Sequence, residues 1–368
     1  MKITDVTTTA LFLPEIRAIH DGTTPATRPG RAGRAQLFVH IATDEGVEGL
    51  GVGQASPGVR DVIESGLKDL LIDRDPFEIE RLWSDMFWRV RRYGRGGVAF
   101  CALSAVDIGL WDLKAKALGL PLYRLLGPYA DSVPIYGSGG WTDLTVDELV
   151  AQMAGYVDQG IPRVKLKIGK DFGRAEREDI ERVAAVRKAV GDDVAVYVDA
   201  NNAYYPKQAI YMAQEFGRYQ VGWFEEPVLA DDISGLAEVR RAIDIPVAGG
   251  ENEYTKYGFK ALISGGGVDI VQPDVARMGG ITEWLKVAHM AHAFDLPVAP
   301  HAMEQVHLHL ACATPNLKLV ESLDFLAEAD RLVYVELPQQ KDGMLSPFPD
   351  RPGLGLELDP YAVEKWAV

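Results

Sequence analysis

The sequence has few cysteines and no long apolar run. Cys101 and Cys312 are the two cysteines in 368 residues, and both lie in apolar stretches, so we interpret them as buried reduced thiols. No apolar run is long enough to span a bilayer. The opening MKITDVTTTALFLPE lacks the basic and apolar regions of a signal peptide. A cytoplasmic location is therefore the default expectation.

Positive charge is also scarce. The chain has 38 Lys and Arg against 53 Asp and Glu, a net charge of −15. This balance argues against nucleic acid and anionic membranes as partners. It also means that an anionic substrate would need local positive charge.

The order of apolar runs predicts an α/β protein with two main units. Residues 1–53 resemble strands and residues 59–119 resemble helices. Eight apolar runs then alternate with amphipathic helical stretches, namely VPIYGS, VKLKIG, VAVYVDA, VGWFEEP, IPVAGGE, VDIVQPD, LPVAPHA and LKLVES. This alternation predicts a TIM-like (β/α) barrel. We expect an α+β capping domain over 1–130, the barrel over 131–330, and a C-terminal segment over 331–368 that packs back on the capping domain.

Three carboxylates end three consecutive runs at equal spacing. Asp199 and Glu225 are 26 residues apart, and so are Glu225 and Glu251. Because the carboxyl ends of parallel barrel strands share one rim, these side chains should converge. Like charges need a counter-charge there, and oxygen ligands favour Mg²⁺.

Two lysines belong to the run VKLKIG. Lys165 and Lys167 share one face of a strand, so we expect each to lower the pKa of the other, with burial adding to the effect. A neutral lysine could then act as a general base. Taken alone, the pair fits a solvated polar strand equally well.

Three further runs end in groups that can carry protons. Asp274 follows VDIVQP, His301 follows LPVAP, and Glu321 follows LKLV. Asp274 could fix the tautomer of His301, although either residue alone is more typical of a structural role. Together with a metal and the lysines, the set is typical of a site that removes a proton next to a carboxylate.

With these residues in place, the chain resembles the mandelate racemase subgroup of the enolase superfamily nearly end to end. KLKIG is similar to the K-x-K motif of that family, and SAVDIGLWDLKAKALGLPLYRLLG and PGLG look like further signatures. The resemblance implies that Lys167 is the base, that Lys165 tunes it and meets the substrate carboxylate, and that Asp274 and His301 form the Asp–His dyad. It implies Mg²⁺ on Asp199, Glu225 and Glu251. The dyad argues against the muconate-lactonizing subgroup.

The resemblance also implies groups that bind a small carboxylate substrate. Glu321 would hydrogen-bond the substrate carboxylate and Asn201 would contact metal-bound groups. Tyr136 lies at the barrel end. Arg28, in the loop of residues 20–34, could attract an anionic polyhydroxylated acid. Relatives are usually dimers or octamers, so a homo-oligomer is expected.

We therefore expect a Mg²⁺-dependent dehydratase of an aldonate or aldarate. The same site could instead racemise or epimerise a 2-hydroxy acid, or act as a lactone cycloisomerase. A binding scaffold without catalysis is a third possibility, although such a scaffold would not need two proton-transfer groups.

Overall fold

The computed structural model describes residues 1–24, 33–54, 56, 58–92 and 94–368. The chain begins with a three-stranded antiparallel sheet in the order β1-β2-β3. The bounds are β1 (Ile3–Leu13), β2 (Arg34–Thr43) and β3 (Glu48–Gln54). A hairpin joins β2 to β3, with His40 opposite Leu50.

Helices follow this sheet, as the sequence predicts. They are α1 (Val59–Asp61), α2 (Lys68–Leu71), α3 (Ile79–Val90), α4 (Val98–Ala117) and α5 (Leu122–Leu126), with a π-helical turn at Val62–Leu67. Helix α4 is buried around most of its circumference, because it lies between the sheet and the rest of the protein. Asp107 on α4 accepts hydrogen bonds from the backbone N–H (2.9 Å) and the hydroxyl (2.6 Å) of Thr282.

Two glycines bring strand β3 unusually close to helix α4. A Cβ atom at Gly49 would lie 2.2 Å from the carbonyl oxygen of Gly109, and one at Gly51 would lie 2.0 Å from that of Ala105. Both distances are far shorter than any non-bonded contact allows, so only glycine fits at these positions. The close contact at these two glycines fixes the distance between the sheet and α4.

The rest of the chain forms the predicted barrel. Its parallel strands are β4 (Val133–Gly139), β5 (Arg163–Lys167), β6 (Ala195–Asp199), β7 (Val221–Glu225), β8 (Val247–Gly249), β9 (Ile270–Val271) and β10 (Val320–Leu323), and β10 pairs with β4. Strand β11 (Met344–Leu345) adds to β4 in the antiparallel sense. The fold class is α/β, as expected.

Helices separate these strands and cover the barrel. They are α6 (Val146–Asp158), α7 (Lys170–Gly173), α8 (Glu176–Val190), α9 (Pro206–Gly217), α10 (Ile233–Ala242), α11 (Thr255–Ser264), α12 (Gly280–Ala293), α13 (Glu304–Cys312), α14 (Asp324–Val333) and α15 (Pro360–Trp366). Among the residues that the structure describes, no helix is both long and apolar enough to cross a bilayer.

The seventh expected barrel strand is not a continuous strand. Val298 alone makes parallel bridges, to Val271 on one side and Leu317 on the other. Pro297 and Pro300 flank it, and a proline has no N–H to donate to a ladder. The prediction of a continuous strand over LPVAPHA was therefore wrong, because the segment pairs with its neighbours through Val298 alone. The segment still occupies the position of the seventh strand, between β9 and β10.

An aromatic layer fills the barrel below the site. Tyr197 and Trp223 stack with ring centroids 3.7 Å apart, and Tyr136 meets the Trp223 ring edge-on at 5.1 Å. Because side chains two residues apart share a strand face, the next inward positions on β6 and β7 are Asp199 and Glu225. Asp199 and Glu225 therefore lie directly above the packed aromatic rings.

The C-terminal segment contacts both parts of the protein. Val368 donates its N–H to the carbonyl oxygen of Ala10 on β1, while Met344 pairs with Pro134 on β4. The division at residues 130 and 330 stays a prediction.

The close approach of β3 to α4 leads to a stability prediction. We expect Gly51→Ala to lower the free energy of unfolding by at least about 2 kcal/mol, because the new methyl group collides with backbone. Gly155→Ala in α6 is the matched control. Nothing lies within 4 Å of a Cβ there, so alanine should stabilise by up to about 1 kcal/mol. Urea unfolding of both variants measures the difference, and equal stability would contradict the packing.

Candidate active site

The structure brings the three predicted metal ligands together. Asp199, Glu225 and Glu251 each offer a carboxylate oxygen, and these oxygens lie within 4.8 Å of one another. The exposed fractions of the three residues are 0%, 0% and 7%. The geometry follows from the topology, since β6, β7 and β8 are neighbours and each ligand is at or just beyond a strand end.

Both lysines of β5 face these carboxylates. Lys165 Nζ lies 2.5 Å from Glu225 Oε1, 2.8 Å from Glu321 Oε1 and 3.7 Å from Asp199 Oδ2. Lys167 Nζ donates to Asp199 Oδ2. The alternative of a solvated polar strand is excluded, because Lys165 is 0% and Lys167 3% exposed.

The expected depression of the lysine pKa values is not found. Burial does disfavour the ammonium form, but attraction to Glu225 and Glu321 outweighs it and holds the pKa of Lys165 well above its usual value. Asp199 likewise raises the pKa of Lys167, against burial and the repulsion of Lys165. The prediction was wrong because it counted the neighbouring lysine and omitted the nearby carboxylates.

Asp274 and His301 form a hydrogen-bonded pair. His301 Nδ1 lies 2.9 Å from Asp274 Oδ2, and His301 Nε2 lies 3.4 Å from Glu251 Oε2. Burial disfavours the imidazolium, yet Glu251 and Asp274 together hold the pKa of His301 above its usual value. The pair thus orients the ring with Nε2 directed towards the carboxylate cluster.

Glu321 lies beside Lys165 and contacts the residue that follows His301. Its second oxygen accepts a hydrogen bond from the backbone N–H of Ala302 at 2.7 Å. Burial opposes its charge, but Lys165 is close enough to hold the pKa of Glu321 far below its usual value.

In the part of the chain that the structure describes, the site has more carboxyl groups than permanent cations. Five carboxyl groups lie in ion-pair contact with three permanent cations, namely Asp199, Glu225, Glu251, Asp274 and Glu321 with Lys165, Lys167 and Arg277. Glu251 Oε2 is buried and accepts no hydrogen bond from the described residues. Burial raises the pKa of Glu225 to about 8, so its carboxyl group holds a proton near neutral pH unless a cation replaces that proton. An excess of carboxylates and an all-oxygen donor set fit one hard divalent cation such as Mg²⁺.

One cavity of about 210 Å³ opens onto this cluster. Lys167, His301, Glu251 and Asn201 all line it. Asn201 Oδ1 is buried without a partner among the described residues, so it is available to a ligand. Tyr136, by contrast, is 0% exposed and lies in the aromatic layer with its ring 5.3 Å from Lys165 Nζ.

Arg28, predicted to attract the substrate, lies outside the described residues. The loop containing it is described only at residues 20–24 and 33–34.

Sequence reasoning missed several residues that hold the site together. Arg277 Nε lies 3.1 Å from Asp274 Oδ2, and its Nη1 lies 3.3 Å from Glu251 Oε1, so one guanidinium joins the dyad to the triad. Gln272 donates to Glu225 Oε2 at 2.8 Å. The sequence offered one indication of this contact, because Arg277 follows Asp274 by three residues on the same loop.

Two family descriptions match the chain. Residues 148–362 match "Enolase C-terminal domain-like", and residues 22–127 match "Mandelate racemase / muconate lactonizing enzyme, N-terminal domain". A 3,6-anhydro-α-L-galactonate cycloisomerase of Streptomyces coelicolor is 35% identical over 88% of this chain and 89% of its own. An L-talarate/galactarate dehydratase of Salmonella typhimurium is 35% identical over 90% of this chain and 82% of its own.

Solved structures of similar proteins superpose over the whole chain. A mandelate racemase/muconate lactonizing enzyme-like protein from Rubrobacter xylanophilus has a TM-score of 0.94 at 37% identity, with both chains fully covered. A racemase from Streptomyces coelicolor with bound magnesium has a TM-score of 0.92 at 32% identity, again over both full chains. The Salmonella dehydratase liganded with Mg and L-lyxarohydroxamate has a TM-score of 0.92 at 33% identity, covering 100% of this chain and 93% of its own.

The carboxylate triad predicts a measurable metal affinity. We expect Glu251→Gln to weaken Mg²⁺ binding by more than about tenfold, because it removes one negative ligand. Glu253→Gln is the control, since Glu253 is two residues away and outside the triad. Isothermal titration with Mg²⁺ gives both affinities, and equal weakening by the two variants would contradict the assignment.

Proposed function

The chain belongs to the enolase superfamily, in the mandelate racemase and muconate lactonizing enzyme group, and on that premise we propose that it is a Mg²⁺-dependent dehydratase of a sugar acid. One observation carries the proposal. Lys167 on the second barrel strand and His301 on the seventh segment line the same cavity as Glu251. In barrel order, Lys167 comes before the three carboxylates of β6, β7 and β8, and His301 comes after them. The two groups that could transfer protons therefore flank the proposed metal ligands on opposite sides.

Asp199, Glu225 and Glu251 are the residues that would hold magnesium. The bound ion supplies a Lewis acid for the substrate carboxylate and compensates the excess negative charge. Asn201, with its unpartnered Oδ1, is placed to contact groups beside it.

Lys165 and Glu321 would bind the other side of the substrate carboxylate. The 2.8 Å contact between Lys165 Nζ and Glu321 Oε1 keeps a proton at the base of the site. That proton can be directed at a carboxylate oxygen as negative charge moves onto it from C2. Both side chains are 0% exposed and neither lines the cavity, so the substrate carboxylate would have to displace part of their present contacts to reach them.

Lys167 or His301 would remove the proton from C2, according to the configuration there. His301, held by Asp274, then donates a proton to the hydroxyl on C3, which leaves as water. The C2–H and C3–O bonds break, a C2–C3 double bond forms, and the resulting enol tautomerises to a 2-keto-3-deoxy acid. Where Lys167 is the base, its ammonium group must first leave Asp199 and release its proton to solvent, because a protonated lysine is no base.

Epimerisation or lactone cycloisomerisation is the second candidate. Bases on both sides of C2 allow a proton to be removed on one side and returned on the other. A cycloisomerase at 35% identity also favours this alternative. The predicted homo-oligomer stays a prediction for either reaction.

A panel of aldonates, aldarates and their lactones with Mg²⁺ tests the proposal. We expect at least one acid to yield a 2-keto-3-deoxy product, detected by a keto-acid assay and by NMR in D₂O. Deuterium at C2 without loss of water would favour the epimerase instead. A protein that binds Mg²⁺ but exchanges no α-proton from any member would be a scaffold, and the proposal would fail.

The dyad predicts a large loss on substitution. We expect His301→Asn to lower kcat by at least about a thousandfold, because asparagine cannot donate a proton to the leaving hydroxyl. His289→Asn, on the exposed side of α12, is the matched control and should keep normal turnover. Full activity of the His301 variant with its substrate would disprove the role of the dyad.

A further inference from the structure

The cavity continues beyond the catalytic groups to a second polar region, here called the distal subsite. Arg34 and Gln36 on β2, Gln305 on α13 and Asp330 on α14 line it. None of these four residues belongs to the carboxylate triad or the dyad. Gln36 Nε2 donates to Asp330 Oδ1 at 3.2 Å, so this contact joins the capping sheet to the last barrel helix.

Two glutamines of the distal subsite present acceptors that have no partner. The amide nitrogen of Gln36 is held by Asp330, and that of Gln305 donates to Glu304 Oε1 at 3.1 Å. With the nitrogen of each amide facing the carboxyl group it contacts, the other end of the amide is a hydrogen-bond acceptor. Both residues are 6% exposed, and the Oε1 atom of each is buried without a partner. Unpaired buried acceptors are costly, so a donor from a ligand would be stabilising.

The charged members of the distal subsite compensate each other only partly. The Arg34 guanidinium lies 4.4 Å from the centre of the Phe325 ring, and its Nε is buried without a partner among the described residues. Loss of water lowers the pKa of Arg34 to about 10, and loss of water together with Glu304 raises the pKa of Asp330 to about 7. Within the distal subsite Arg34 therefore faces Asp330 and two amide oxygens, with the carboxyl group of Glu304 beside Gln305.

We infer that the distal subsite binds the neutral, hydroxyl-bearing end of an aldonate and discriminates against the second carboxylate of an aldarate. This inference rests on the proposed function, which fixes the first carboxylate at Lys165. A hydroxyl group can donate to Gln36 Oε1, Gln305 Oε1 or Asp330 and accept from Arg34. A carboxylate can only accept, so it would satisfy Arg34 alone. It would also lie near Asp330, which carries its full negative charge at pH values above its pKa of about 7.

Matched pairs of aldonate and aldarate with the same configuration at the shared carbons provide the test. Binding is measured by titration calorimetry with Mg²⁺ at pH 8, where Asp330 is largely ionised. The His301→Asn variant is used, because it lacks the proton donor for the leaving hydroxyl whichever group removes the C2 proton. The unmodified protein gives kcat/KM. We expect the aldonate of each pair that binds to bind about tenfold or more tightly than the aldarate, as one like-charge contact implies. Equal or tighter binding of the aldarates would overturn the inference about the distal subsite. If the aldarates also yielded keto acids, the proposed dehydratase function would still hold.

Removing the charge of Asp330 tests whether this residue causes the preference for aldonates. Asp330→Asn should narrow the preference for aldonate by about tenfold, because it removes the repulsive carboxylate while keeping the size of the side chain. Glu328→Gln, on the exposed side of α14, is the control and should leave the ratio unchanged. Thermal unfolding of both variants checks that they fold.

The outcomes separate the two proposals. An unchanged ratio in folded Asp330→Asn would overturn the role of Asp330. If no acid of either class exchanges its α-proton, the proposed reaction fails, but the calorimetric ratio between the two classes still decides the preference of the distal subsite.

Discussion

The structure depends on an excess of buried negative charge at one end of a barrel. Five carboxyl groups meet there and, among the described residues, three permanent cations pair with them. Buried charge of one sign is expensive unless it is paired. The lysines of β5 and the guanidinium of Arg277 compensate part of it, and a divalent cation is the group that completes the balance. The excess of buried carboxyl groups lowers the stability of the folded protein, and the same excess enables the site to bind a metal ion.

Each layer of the protein contributes to this arrangement. Parallel strands bring distant carboxylates to one rim, and the stacked rings of Tyr197 and Trp223 support them from below. The capping sheet covers the site from above, at a height set by the contact of Gly49 and Gly51 with α4. That sheet also supplies Arg34 and Gln36 to the cavity. One part of the cavity is therefore suited to proton transfer and the other to recognition of the rest of the substrate.

The sequence was informative where function coincides with a regular pattern. Asp199, Glu225 and His301 were predictable because each follows a buried apolar run, and the run order defines the barrel. The seventh strand was predicted in the wrong form because the prolines beside Val298 prevent a ladder. The lysine pKa values were predicted in the wrong direction, because the number of carboxylates around a side chain depends on distances that spacing alone does not give. Arg277 lies in a loop, and the contact of Gln36 with Asp330 joins residues 294 positions apart, so neither shows a local signal.

A crystal structure of the protein grown with Mg²⁺, or with Mn²⁺ for its anomalous signal, tests the central claim most directly. The account predicts one ion bonded to Asp199, Glu225 and Glu251 together, with Lys167 moved away from Asp199. An ion bound elsewhere, or three carboxylates that keep their present lysine contacts at saturating metal, would contradict it.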